Sequence, residues 1–373
     1  MNSTAHSILE SLVRVPSVTG EEGRLARTVA EWCEAAGLAV ELREVQPGRS
    51  NVVARWETGR HPLVLLTGHL DTVPVGAGWT RDPFGAEVSD GRLYGRGACD
   101  MKAGLAAMLA AVIELRKQGL EPAGDVVFAA VVGEEEDSAG TRALLADGLR
   151  ADCAVLGEPT ALKLVRSNRG LVNYRVEVIG ESAHASSPEL GRNAIVGAAR
   201  IILELERIAG RLAERPHPSL GAPNLTVGTI HGGTRPYVVP DRCTIEVDRR
   251  VNPGESAETA RAEAEQAVAT AREVMPWLAG TFTLGSEYPP FELDADHPLV
   301  EAMLRTMAAA RVPATVGVWR AASDAGFITT GSEIPCVLFG PGDIAVTHRP
   351  DEFVDLEQVE LASEVYRRFL VTV

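Results

Sequence analysis

The chain has 373 residues, 45% of them apolar and 23% charged, ordinary proportions for a globular protein of two domains or one large one. Its 36 Lys and Arg against 51 Asp and Glu leave a net charge of −15, which argues against nucleic acid or an anionic membrane surface as the main partner. Five scattered cysteines, at 33, 99, 153, 243 and 336, are odd in number and lack metal-clip or redox spacing, so a reducing compartment without a disulfide framework is expected.

The first residues, "MNSTAHSILESLVRV", have no basic segment followed by an apolar one, and no apolar run approaches membrane-spanning length. A cytoplasmic protein with no membrane partner is the expectation. Short continuous apolar runs follow at 63–66 (LVLL), 126–132 (VVFAAVV) and 154–156 (AVL), with an Ala-rich helix from about Met101, stopped by Gly119, between the first two. Apolar strands alternating with helices predict a mostly parallel sheet covered on both faces, an α/β fold. Near Arg169 the pattern changes. Val172, Tyr174, Val176 and Val178 alternate with Asn173, Arg175 and Glu177, as in an antiparallel sheet with one wet face. A helix at about 193–213, strands at 224–231 and 242–251, a helix at 256–275 and a strand near 281–287 complete a βαββαβ order. It reads as a small α+β domain, 168–287, inserted into a discontinuous larger one, 1–167 and 288–373. The α/β pattern then resumes with a helix from about Pro298, the run CVLF at 336–339 and a last helix from about Leu356.

The polar residues of interest sit where the apolar runs stop. The run at 63–66 leads to His69 and Asp71, that at 126–132 to Glu134, Glu135 and Glu136, that at 154–156 to Glu158, and that at 336–339 to a Gly/Pro loop and His348. Ligands of open α/β sheets gather at the carboxyl ends of strands. With Asp100, ahead of the Ala-rich helix, two histidines and three carboxylates form an oxygen/nitrogen ligand set suited to zinc, with manganese or cobalt as substitutes. Five side chains also suit two metals that share a carboxylate, and the remaining glutamate of the 134–136 run is then a candidate general base. A period of two over 69–71 puts His69 and Asp71 on one side, so Asp71 is expected to orient His69 through its second ring nitrogen. Plainer roles exist for each residue: Asp100 suits a helix N-cap, Glu158 before Pro159 suits a turn, and the glutamate run suits a solvated turn.

The segments GHLDTVP, GRGACDMKAG, GEEEDSAG, GEPT, GESAHASSPELGRNA and GPGDIAVTHRPDEF, in this order, resemble the di-zinc amidohydrolase family of acetylornithine deacetylase, succinyl-diaminopimelate desuccinylase, aminoacylase and glutamate carboxypeptidase. The resemblance covers almost the whole chain. It implies a zinc-exopeptidase-like catalytic domain, an inserted lid and dimerisation domain, two Zn2+ per chain and hydrolysis of the amide bond of an N-acyl amino acid. It also implies roles. Asp100 resembles the carboxylate bridging both metals, His69 and Glu158 the other ligands of one, Glu135 and His348 those of the second, and Glu134 the general base. Counting back from Ser138, the register that makes Glu134 the base and Glu135 the ligand is preferred over 135/136. His184 resembles the group that polarises the scissile carbonyl, often supplied by the partner subunit of a homodimer, and Arg250 one that holds a substrate carboxylate. Tyr237 stands where the family often has a substrate-side asparagine. ASDAGF (322–327) leans toward the desuccinylase and the His348 segment toward the deacetylase, so acyl group and dipeptidase activity stay open.

Three other classes compete. A dinucleotide-binding oxidoreductase fails because Asp100 replaces the third glycine of its fingerprint. A thiol hydrolase using Cys99 leaves the carboxylates unexplained. A non-catalytic metal- or peptide-binding protein on the same fold is disfavoured because ligands and base are all present.

Overall fold

A computed structural model describes residues 3–373, which divide into two units. The first comprises the stretch up to Arg166, Leu293–Val318 and Phe327–Val373; the second comprises Ser167–Glu292 and Trp319–Gly326. The segment 319–326 thus groups with the inserted stretch, a return that periodicity gives no sign of.

The first unit is built on a six-stranded sheet in the order Ala39–Gln46, Arg49–Trp56, Val126–Val131, Val64–His69, Cys153–Leu156, Cys336–Leu338. The last four are mutually parallel and correspond to the four continuous apolar runs. They are buried along their whole length, which is why they read as apolar at every position rather than alternately. The antiparallel hairpin 39–56 closes one edge. The Ala-rich helix is Lys102–Lys117, buried along most of its length and packed against the Val64–His69 strand and the helices Thr4–Val13 and Leu356–Thr372. Its small side chains permit close approach: Gly104 lies directly against the backbone of Gly157.

The second unit is a four-stranded antiparallel sheet in the order Asn224–Gly232, Arg242–Val251, Gly170–Ile179, Gly280–Tyr288, with helices Ala194–Leu212 and Ala257–Val274. Val172, Tyr174, Val176 and Val178 pack with Ala198, Ile201, Leu205, Ala260 and Ala264 into its core. Asn173, Arg175 and Glu177 line the opposite face, as their alternation demands.

Candidate metal centre

His69 is the last residue of its strand, Glu134 and Glu135 follow the 126–131 strand, and Glu158 follows the 153–156 strand. Gly133, at φ +79°, makes the turn that brings the glutamate run around the strand end. His348 arrives from the loop after Leu338, and its own φ of +59° is the left-handed region that a bulky residue enters only when its surroundings fix it there.

Asp100 is the centre of the arrangement. Its Oδ1 lies 3.2 Å from His69 Nε2 and its Oδ2 lies 3.3 Å from His348 Nε2. One carboxylate therefore faces two imidazoles, one with each oxygen. Glu135 Oε1 is 3.1 Å from His348 Nε2, while Glu134 Oε2 is 4.0 Å from His69 Nε2. Glu136 is exposed. Ligand atoms of His69, Asp100 and Glu135 all lie within 4.8 Å of one another. Glu158 is buried and close enough for its charge to act on His69. Asp100 is not a helix cap: that position is Met101, with no side-chain cap bond.

Burial pulls the His69 imidazole toward neutrality, but Asp100 bonded to it, with Glu134, Asp71 and Glu158 nearby, holds its pKa well above the ordinary value. Hydrogen bonds to Asp100 and Glu135 raise His348 to about 10. Burial works to raise the Asp100 carboxyl, yet the two imidazoles take it far below the usual range. Burial and the Asp100 charge raise Glu135. Five carboxylates and two imidazoles packed this closely are an anionic nest that divalent cations suit. A carboxylate with each oxygen near a different imidazole has the chemistry of a ligand that two metals could share, and Glu135 and Glu158 add further oxygen donors of the type such ions take. Cys99, the alternative nucleophile, is fully buried, and that burial, with Glu352 and Asp100, pushes its thiol well above the ordinary value, the opposite of an activated thiolate.

Asp71 behaves differently from the expectation. His69 Nδ1 lies 2.9 Å from the Asp71 backbone carbonyl and 3.6 Å from its Oδ1, so the carbonyl holds the ring. The carboxylate is occupied elsewhere: it accepts the N–H of Glu134 and of Glu135, each at 3.1 Å, and the Thr19 hydroxyl at 2.9 Å. It anchors the loop of Glu134 and Glu135 as well as standing beside His69.

His184, Tyr237 and Arg250 belong to the second unit. His184 and Tyr237 are adjacent, through the Ala185 N–H donating to the Tyr237 carbonyl, and both are exposed. His184 Nδ1 accepts from the Ser186 N–H at 3.2 Å, so in the neutral ring Nε2 carries the proton. Arg250 already forks onto Asp248, at 2.9 and 3.1 Å. Two further arginines were not foreseen. Burial, then the charges of Arg320 and Arg250, hold the Arg169 guanidinium below its ordinary pKa, so Arg169 lies in the field of both. Arg169 itself is bonded to the Leu220 and Ala222 carbonyls rather than to a carboxylate. Arg96, Lys102 and Glu352, buried beside the Asp100 loop, were also unforeseen; a lone charged residue in sequence carries no sign that its partner is distant.

Peptidase family M20/M25/M40 matches residues 65–372. The chain is similar to a tripeptidase from Staphylococcus aureus at 25% identity, over 98% of this chain and 97% of that one, with a TM-score of 0.82. It shares its fold with an M20 family metallo-carboxypeptidase from Sulfolobus solfataricus at 20% identity, over 99% of each chain, TM-score 0.82. The same holds for a dinuclear metal binding peptidase of the M20 family from Bacillus subtilis at 17% identity, over 98% and 96%, TM-score 0.75. Among the described residues no helix is long and apolar enough to cross a membrane. With this match over most of its length and a His/Asp/Glu cluster at the strand ends, the chain belongs to peptidase family M20/M25/M40 and is a metal-dependent hydrolase.

Proposed function

We propose that the protein hydrolyses the amide bond of an N-acyl amino acid, in the manner of acetylornithine deacetylase, with two zinc ions. The observation that carries this reading is Asp100, one oxygen toward His69 and the other toward His348, with Glu134 beside His69 and outside the ligand trio. Bound there, the ions would act as Lewis acids and lower the pKa of water toward about 7. Glu134 takes the proton of the attacking water and hands it to the leaving amine. Asp71 keeps Glu134 in place through its N–H and keeps the His69 ring turned toward Asp100. His184 donates its Nε2–H to the scissile carbonyl, and it comes from the second chain of a homodimer joined through the inserted domains. Arg250 takes the substrate carboxylate, exchanging it for Asp248. Arg169, in the field of Arg250 and Arg320 and bonded only to carbonyls among its described hydrogen bonds, supports an anionic substrate there. Tyr237, next to His184, contributes to the substrate pocket.

A second reading, peptide hydrolysis, is favoured by the likeness to the tripeptidase. A panel of N-acetyl, N-succinyl and N-formyl amino acids and of di- and tripeptides, assayed with zinc-loaded enzyme, separates the two. Highest kcat/KM on an N-acetyl amino acid supports the proposal. Preference for a peptide or a succinyl amide replaces it with that reading, and no turnover of any of them refutes both substrate readings.

A further inference from the structure

Glu352 and Arg96 are charged, 1% and 2% exposed, and 256 residues apart in sequence. Glu352 Oε2 accepts from Arg96 Nη1 at 2.5 Å, and its Oε1 accepts two consecutive backbone N–H groups, of Cys99 at 2.9 Å and of Asp100 at 3.1 Å. The Glu352 carbonyl also accepts the Gly95 N–H at 2.9 Å. The Arg96 guanidinium lies 5.2 Å from the ring centroid of Trp79. Four residues before Glu352 stands His348, in its left-handed conformation, and Asp351 between them is tied to the Thr80 N–H at 2.9 Å.

One carboxylate therefore grips the main chain of the loop that presents Asp100 while belonging to the segment that presents His348. His69 and Glu158 are positioned otherwise, by fully buried parallel strands. We propose that the Arg96–Glu352 pair positions Asp100 against His348 and thereby sets the affinity of the metal site on the His348 side. The proposal rests on the ligand reading above. Asp100 and His348 lie beyond the ends of the paired strands Arg92–Tyr94 and Phe353–Asp355, so their 3.3 Å approach depends on what ties the two loops together past that pairing. Glutamine at 352 would keep the volume and an oxygen for the two N–H groups, but its amide N–H would face the guanidinium, donor against donor. Arg96 would be left buried without an acceptor and the segment would shift.

The test is calorimetric titration of metal-free protein with Zn2+ alone, using a competing chelator to resolve two steps. The step that His348→Ala abolishes identifies the His348 side. Glu352→Gln is expected to weaken that step by about 10–100-fold, a common cost of losing an outer partner of a ligand, and to weaken the other less, because that site shares Asp100 but keeps His69 and Glu158 on their buried strands. Arg96→Lys, which keeps the charge, is expected to weaken the same step less than Arg96→Gln does. Far-UV circular dichroism and melting of the metal-free variants check the fold, and if Glu352→Gln does not fold the two Arg96 variants make the comparison. An unchanged step, or equal loss in both, overturns the positioning role. A wild type with fewer than two steps, or a His348→Ala variant that retains both, overturns the ligand reading instead, and the proposal with it.

Discussion

Gly104→Ala sets two effects of opposite sign against each other. Gly104 lies inside the Lys102–Lys117 helix, where alanine is favoured over glycine by about 1 kcal/mol. A Cβ there would overlap the Gly157 carbonyl oxygen and stand 2.8 Å from its carbonyl carbon and 3.1 Å from its Cα. Ordinary carbon contacts are about 3.5–4.0 Å, so helix and strand end must separate by about 1 Å. Both partners are main chain, and no rotamer change relieves the overlap. Overpacking costs about 1–3 kcal/mol, and the upper half of that range, less the propensity gain, leaves a net loss of about 1–2 kcal/mol. Activity should fall further, because the helix start carries Asp100 and the strand end carries Glu158. A misplacement of about 1 Å costs on the order of 10²-fold. Urea unfolding gives the stability, and kcat/KM on an N-acyl amino acid gives the activity. Gly210→Ala is the control: it is also helical, its Cβ would meet nothing within 4 Å, and it should gain up to about 1 kcal/mol. A Gly104→Ala protein as stable as the Gly210→Ala protein, with wild-type kcat/KM, would refute the reasoning.

Glu134→Ala should keep both metals and lose about 10²–10⁴-fold in kcat, whereas Glu135→Ala should lose a metal-binding step; the reverse outcome in zinc titrations means the register is displaced by one. Co-expressed Glu134→Ala and His184→Ala chains should regain activity in the isolated mixed dimer, and a folded, metal-loaded mixed dimer as inactive as its parents rules out sharing of the site between chains. Arg249 is fully buried between Glu255 and Glu263, so Arg249→Met should cost about 3–5 kcal/mol in urea unfolding, and adding Glu255→Gln and Glu263→Gln should recover much of it. A loss below about 1 kcal/mol, the scale of an exposed pair, would show that these charges are solvated.

The elements legible in sequence are those whose burial is uniform or strictly alternating. Four apolar runs are the parallel strands, and the alternation after Arg169 is the Gly170–Ile179 strand with even positions inward. The edge hairpin 39–56 was missed because its outer strand is mostly exposed and carries no clear period. Arg249 and Arg250 illustrate the limit of pattern. They are adjacent, one faces Val172 across the core side and the other faces Leu171 across the open side, and the inward one is held by two glutamates that helix Ala257–Val274 and its approach supply. Period two tells which is inward. It does not tell that an arginine is tolerated there.

The His/Asp/Glu cluster was legible through residue type at strand ends, but residue type does not tell which carboxylates serve the main chain. Asp71 was expected to orient His69, and Glu352 carried no expectation. Each instead accepts two consecutive backbone N–H groups, Asp71 those of Glu134 and Glu135, Glu352 those of Cys99 and Asp100. Asp71 thereby anchors the loop of Glu134 and Glu135, and Glu352 the loop of Asp100. A carboxylate used in this way neutralises main-chain donors that a strand-end loop leaves unpaired, and its negative charge adds to a site that cations complete. Ligand and anchor are chemically identical in sequence. What separates them is whether the oxygens meet imidazole nitrogens or amide hydrogens, and that is decided by segments as far apart as 99 and 352.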